Sequence, residues 1–225
     1  MNEQLTLEVS PIPEPTLENF IVGQNAEAIN TLRHILPGQA VYLWGSNGCG
    51  KTHLLKAMAA CHQGVYFNHE SQPFLESIIF QNTPPLVAID NIESLSEDQQ
   101  AELFSLYNEW KLRKNTSDAF ILLVSGNVSA LAMPIREDLR TRLGWELVYR
   151  LEQLSDEQRL TALQNRAHEK GLQLSHEVTH WIFTHYSRDI AALFNLLDAL
   201  DTYSLSTRRP ITVPLLKAFF IKTKS

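Results

Sequence analysis

The stretch "GSNGCGKT" (45–52) limits what this chain can fold into more than any other. It meets the spacing G-x-x-x-x-G-K-S/T, directly after the apolar run "AVYLW" (40–44) and directly before "THLLKAMAA" (52–60). A strand, then the loop, then a helix is the context that separates a phosphate-binding loop from a chance glycine-rich turn. Gly45, Gly48 and Gly50 let the backbone turn tightly, so that successive N–H groups face phosphate oxygens. The helix beginning near Lys51 adds its positive end. Ser46, Asn47 and Cys49 complete the cradle, Lys51 reaches the outer phosphates, and the Thr52 hydroxyl is the expected Mg²⁺ ligand.

The rest of the chain supplies a sheet for that loop. Runs at 40–44, 64–68, 86–90, 119–124 and 146–150 read as strands, with helices between them. The clearest helix starts at "SEDQ" (96–99), where Ser96 and Gln99 have capping-box spacing ahead of Leu103, Leu106, Tyr107 and Trp110. Apolar strands alternating with helices predict an α/β fold with a parallel sheet covered on both faces. After residue 151 the strands stop. "SDEQ" (155–158) repeats the capping box and opens a helix to about Lys170, where Gly171 ends it. Helical patterns follow over about 175–186, 188–204 and 213–222, so 152–225 is expected to be a small all-helical domain. Residues 1–16, with prolines at 11, 13 and 15, are expected to be extended.

Composition narrows the partners. The 225 residues carry a formal net charge of −6, which disfavours direct duplex binding and points to protein partners. Cys49 and Cys61 are the only cysteines, so there is no disulfide framework and a reducing compartment fits. No apolar run approaches ~20 residues, and the N-terminus lacks a secretory layout, so the expected location is the cytoplasm, with no membrane contact.

Several polar residues fall where a phosphate site needs them. Asp90 ends the strand "LVAID" and is the natural second metal partner beside Thr52. Asn91 follows, where an ATP-hydrolysing machine usually carries an acid. An amide cannot take a proton from water, which predicts weak intrinsic turnover. Glu93 is expected to point away from the phosphates. Asn127 ends another strand, where its amide either senses a γ-phosphate or merely sits in a loop. "REDLRTRLGWE" (136–146) carries Arg136, Arg140 and Arg142. These are either ordinary surface arginines or the source of a finger that reaches a neighbour's nucleotide.

In this order, the phosphate loop, Asp90, Asn127, the arginine helix and the helical tail resemble the AAA+ ATPases. "LENFIVGQNAEAINTL" (17–32) resembles the N-terminal box of the DnaA initiator group, and "RTRLGWEL" (140–147) resembles that group's arginine-finger segment. "IDNIE" (89–93), "LFNLLDALD" (193–201) and "RRPITVPLLK" (208–217) are similar to the Hda family of short DnaA homologues. The resemblance covers essentially the whole chain. It implies a P-loop AAA+ domain with a five-stranded parallel sheet over 17–151, then a helical lid over 152–225. It further implies bound nucleotide, typically ADP, and an arginine at the position of Arg142 that triggers hydrolysis of the ATP held by the DnaA initiator. "QLTLEV" (4–9) resembles a clamp-binding peptide, with Gln4 at the pocket rim and Leu5 and Leu7 in the apolar groove of the sliding clamp. DNA would then be contacted mainly through the clamp, and self-association is a further option within this family. In the lid the usual sensor arginine position falls on Ala191, with Arg188 as its candidate substitute. The competing expectation is a self-sufficient AAA+ ATPase such as a helicase loader.

Overall fold

The computed structural model describes residues 14–71, 75 and 83–223. The chain divides into two compact units, one spanning Glu14–Gln153 and one whose described part begins at Leu154.

In the first unit the elements run α1 (Ala26–Arg33), β1 (Ala40–Trp44), α2 (Lys51–Cys61), β2 (Val65–Phe67), β3 (Leu86–Ile89), α3 (Glu97–Arg113), β4 (Ile121–Gly126), α4 (Glu137–Leu143) and β5 (Leu147–Arg150). The five strands form one parallel sheet in the order β2-β3-β4-β1-β5. β3 and β4 are buried along their whole length, because a parallel sheet with helices on both faces leaves no side for water. The period of two in β1 shows how the layers are built. Ala40 and Tyr42 join the core under α3, with Leu103, Leu106 and Trp110, while Val41 and Leu43 join the opposite core, with Ile29, Leu32, Leu54 and Met58.

The strand expected over 119–124 sits two residues later. Ala119 closes a turn by donating to Thr116 O, and Ser125 and Gly126 continue the ladder beside Leu43 and Trp44. A serine and a glycine look like loop residues in sequence, yet here they carry the strand toward the phosphate loop. The capping box at Ser96 and Gln99 is formed in both directions.

The second unit holds α5 (Asp156–Glu169), α6 (His176–His185), α7 (Ile190–Thr207) and α8 (Val213–Thr223). Ser155 and Gln158 form the second capping box, and Gly171 ends α5 with φ +71°. Leu163, Val178, Ile182, Leu193, Leu197 and Leu216 make its core. The buried Asp198 carboxylate is neutralised by Lys170 Nζ at 2.8 Å, on a helix otherwise apolar on that side. No described helix is long and apolar enough to cross a membrane.

Candidate nucleotide site and arginine face

The loop 45–50 reaches its shape through left-handed glycines. Gly48 and Gly50 have φ +82° and +99°, and a Cβ on Gly50 would lie 2.5 Å from Phe20 Cε2. Gly50→Ala is therefore expected to destabilise by at least about 1–2 kcal/mol from backbone strain alone, seen as a lower melting temperature. An unchanged melting temperature would show that Phe20 and the loop yield freely.

Lys51 opens α2 but is buried, with only 5% of its surface exposed. Its Nζ donates to Gly45 O at 2.6 Å and to Asn127 Oδ1 at 3.1 Å. This second bond brings the strand-end asparagine to the loop lysine across 76 positions of sequence. Ser46 and Asn47 are exposed at the loop tip, and Asn47 O accepts from Gln153 Nε2 at 2.6 Å. The Cys49 thiol is buried, and burial pushes its pKa up against the opposing pull of Lys51.

Asp90 is fully buried at the end of β3. Its Oδ2 accepts from Thr52 Oγ1 at 2.6 Å and from the Tyr66 phenol at 2.8 Å, and its Oδ1 accepts from Ser125 Oγ. Thus hydroxyls from α2, β2 and β4 converge on one carboxylate. Burial and the bond to Asp90 hold the Tyr66 phenol well above the ordinary tyrosine range. Because the Thr52 proton is committed to Asp90, the threonine's lone pairs stay available as acceptors. Hydroxyl and carboxylate oxygens are also the donor set of a hard divalent cation, so Thr52 and Asp90 fit Mg²⁺.

Asn91 takes a left-handed conformation, φ +52° and ψ +57°, and its N–H donates to Ser125 Oγ at 3.1 Å. Glu93 lies in the short turn Ile92–Ser94 and tucks under the end of β4. Its Oε2 is 3.3 Å from where a Cβ on Gly126 would stand, and among the described residues neither carboxylate oxygen has a hydrogen-bond partner.

The three arginines of α4 and its N-cap have different surroundings. Arg136 pairs with Asp138 through Nε at 3.3 Å and Nη2 at 2.9 Å. Arg140 makes no side-chain hydrogen bond or ion pair among the described residues. The Arg142 guanidinium stacks on Phe104, 4.1 Å from the ring centroid, and donates to Asn108 Oδ1. An open concavity of about 670 Å³ is lined by Arg136, Glu137, Asp138, Thr141, Arg142 and Trp145.

Two sequence expectations fall elsewhere. Gln4, Leu5 and Leu7 lie outside the described residues. Arg188 lies outside α7, because Asp189 caps that helix by accepting from Ala192 N at 2.9 Å, and Arg188 pairs with Asp156 at 2.7 Å. The helix expected from about 188 thus begins at Ile190, two residues later. "HEVTH" (176–180) on α6 has the H-E-x-x-H spacing of zinc hydrolases, with the two rings stacked at 6.2 Å. Among the described residues no group of three metal-ligating side chains accompanies this spacing.

A family model described as "Hda, lid domain" matches residues 156–220. A Haemophilus influenzae protein, described as uncharacterized, is 34% identical over 230 residues, covering 96% of this chain and 98% of its own. The fold is also that of domain III of the Thermotoga maritima replication initiation protein DnaA, at 21% identity and TM-score 0.68, over 92% of this chain and 97% of that one. A DnaA structure bound to AMPPCP and single-stranded DNA matches at 24% identity and TM-score 0.65, over 87% of this chain and 69% of that one. Residues 156–220 thus belong to the Hda lid family, and they follow a P-loop sheet with the AAA+ fold of DnaA domain III, which makes the chain an Hda-like AAA+ protein.

Proposed function

We propose that this chain is a trans-acting regulator of replication initiation. It binds a nucleotide, ADP by analogy with its family, and stimulates hydrolysis of the ATP held by a DnaA initiator, so that initiation does not repeat. The observation that carries this reading is a division within one unit. The loop, Lys51, Thr52 and Asp90 are assembled for a nucleotide, while the position after Asp90 holds an amide and Arg142, which has no ion pair within 4 Å among the described residues, lines an open face. The AMPPCP-bound DnaA neighbour supports a nucleotide at the equivalent loop.

In this reading Lys51 holds the outer phosphates and the loop N–H groups orient them. Mg²⁺, held by Thr52 and Asp90, would supply charge neutralisation between phosphates. Asn127, already bonded to Lys51, links the nucleotide's outer end to β4. Asn91 orients water without accepting its proton, so turnover in this chain's own site stays low. Arg142 enters the partner's site and stabilises the charge that develops there.

The deciding experiment combines clamp-loaded DNA, ATP-bound initiator and this protein, and follows ATP hydrolysis. Acceleration that needs all three components supports the reading. Motor-like turnover by this chain alone, abolished by Lys51→Ala, would instead make it a self-sufficient ATPase. The clamp contact has its own test. Deleting residues 1–9 is expected to abolish capture by the clamp while the melting temperature stays put, and full retention of capture would remove "QLTLEV" as the docking peptide.

A further inference from the structure

We propose that Tyr66 and Ser125 are positioning residues whose hydroxyls hold the Asp90 carboxylate, so that nucleotide binds this loop with little dependence on divalent cation. This rests on the nucleotide reading proposed above. The donors reach Asp90 because of strand register. Tyr66 pairs with Ala88 across β2 and β3, and Asp90 lies two positions beyond Ala88 on the same face, within diagonal reach of the phenol. Val124 pairs with Ile89, so Ser125 stands level with Asp90 on the other flank. Thr52 is the second residue of α2. Their hydroxyls converge, with Thr52 Oγ1 at 2.6 Å and the Tyr66 phenol at 2.8 Å from Oδ2, and Ser125 Oγ bonded to Oδ1.

Asp90 is fully buried, and a carboxylate cut off from water costs free energy unless donors meet its lone pairs. A carboxylate offers about four acceptor positions, and three are taken here by hydroxyl protons. The donors are themselves oriented. Ser125 Oγ gives its proton to Asp90 and accepts the Asn91 N–H at 3.1 Å, so the hydroxyl is fixed from both sides. Lys56, one turn beyond Thr52 on α2, lies over the Tyr66 ring at 5.1 Å from its centroid and holds the phenol against α2. Where an acid faces phosphates directly, a divalent cation between them offsets their repulsion. In this chain hydroxyls from α2, β2 and β4 draw the charge of Asp90 into charge-assisted bonds, roughly twice as strong as neutral ones. Of these four residues only Thr52 is exposed, so Mg²⁺ keeps a ligand there, while about one acceptor position of Asp90 is left for it.

The test is calorimetric titration of ADP into the full chain, once with Mg²⁺ and once with a chelator of divalent cations. It compares the parent with Tyr66→Phe, Ser125→Ala and Ser125→Thr, each checked by its melting temperature. The parent is expected to bind ADP with affinities within about threefold of each other under the two conditions. Tyr66→Phe and Ser125→Ala are expected to bind about 10- to 100-fold more weakly in the chelator, the range of a hydrogen bond to a charged group. In Mg²⁺ both should stay within about threefold of the parent, because the vacated lone pair is then open to the metal. Ser125→Thr, which keeps the hydroxyl, is expected to restore the parental ratio. A merely structural role would weaken both affinities together and leave their ratio unchanged. A parent that binds ADP only with Mg²⁺, or an unchanged ratio in either Tyr66→Phe or Ser125→Ala, overturns the proposal while the nucleotide reading stands. A parent that binds no ADP under either condition removes both. If Tyr66→Phe does not fold, the contrast between Ser125→Ala and Ser125→Thr decides.

Discussion

Arg142→Ala is expected to keep nucleotide binding and melting temperature near parental values, yet to lower stimulated hydrolysis of initiator-bound ATP by about 10³–10⁵-fold. The size follows from where the charge acts. An arginine directed at a transferring phosphoryl group meets charge that exists only in the transition state, in a site from which water is excluded, so its removal falls on rate rather than on affinity. The selectivity follows from the structure. Arg142 is half-buried on the surface of α3 and α4, and its partners Phe104 and Asn108 belong to that surface rather than to the phosphate loop. Assay at saturating protein, beside a nucleotide-binding titration, separates the two effects. Parental stimulation by Arg142→Ala would move the finger to another residue, with Arg140 next in line as a cation on the same helix without an ion pair among the described residues.

Lys51→Ala is expected to weaken nucleotide binding by about 30- to 100-fold, the loss of two to three kcal/mol that hydrogen bonds to a charged group typically contribute. Unlike Arg142, Lys51 is also part of the fold. It is buried, and its removal leaves Gly45 O and Asn127 Oδ1 without their donor. The variant should therefore also melt lower, by an amount corresponding to about 1–3 kcal/mol for buried groups left unpaired. Calorimetric titration with ADP and with ATP, each with and without Mg²⁺, reads the first effect. Parental affinity would mean that phosphate contacts lie outside the loop 45–52.

The parts of this molecule that were legible in its sequence are those encoded locally. The phosphate loop, the two capping boxes and β1 are each written within a dozen residues, so spacing alone locates them. The environment of Asp90 is not local. Tyr66 and Ser125 stand 24 and 35 positions away, and in sequence they look like ordinary strand and loop residues. Only the order β2-β3-β4 brings their hydroxyls to one carboxylate. Arg142 and its support on α3 are separated in the same way: its position came from resemblance, but its partners came from packing. Periodicity started the helix at about 188, two residues early, because a helical pattern does not reveal that Asp189 serves as its cap.

The backbone at Asn91 limits which side chains can follow Asp90. Its φ of +52° is a left-handed conformation that asparagine, aspartate and glycine adopt with little strain. A glutamate placed there meets a steric cost of about 1–2 kcal/mol before any chemistry begins. An aspartate fits this turn as the asparagine does, whereas a glutamate requires the turn after β3 to be rebuilt as well. Position 91 is thus open to short side chains, amide or acid, and closed to the longer acid by its backbone rather than by its neighbours.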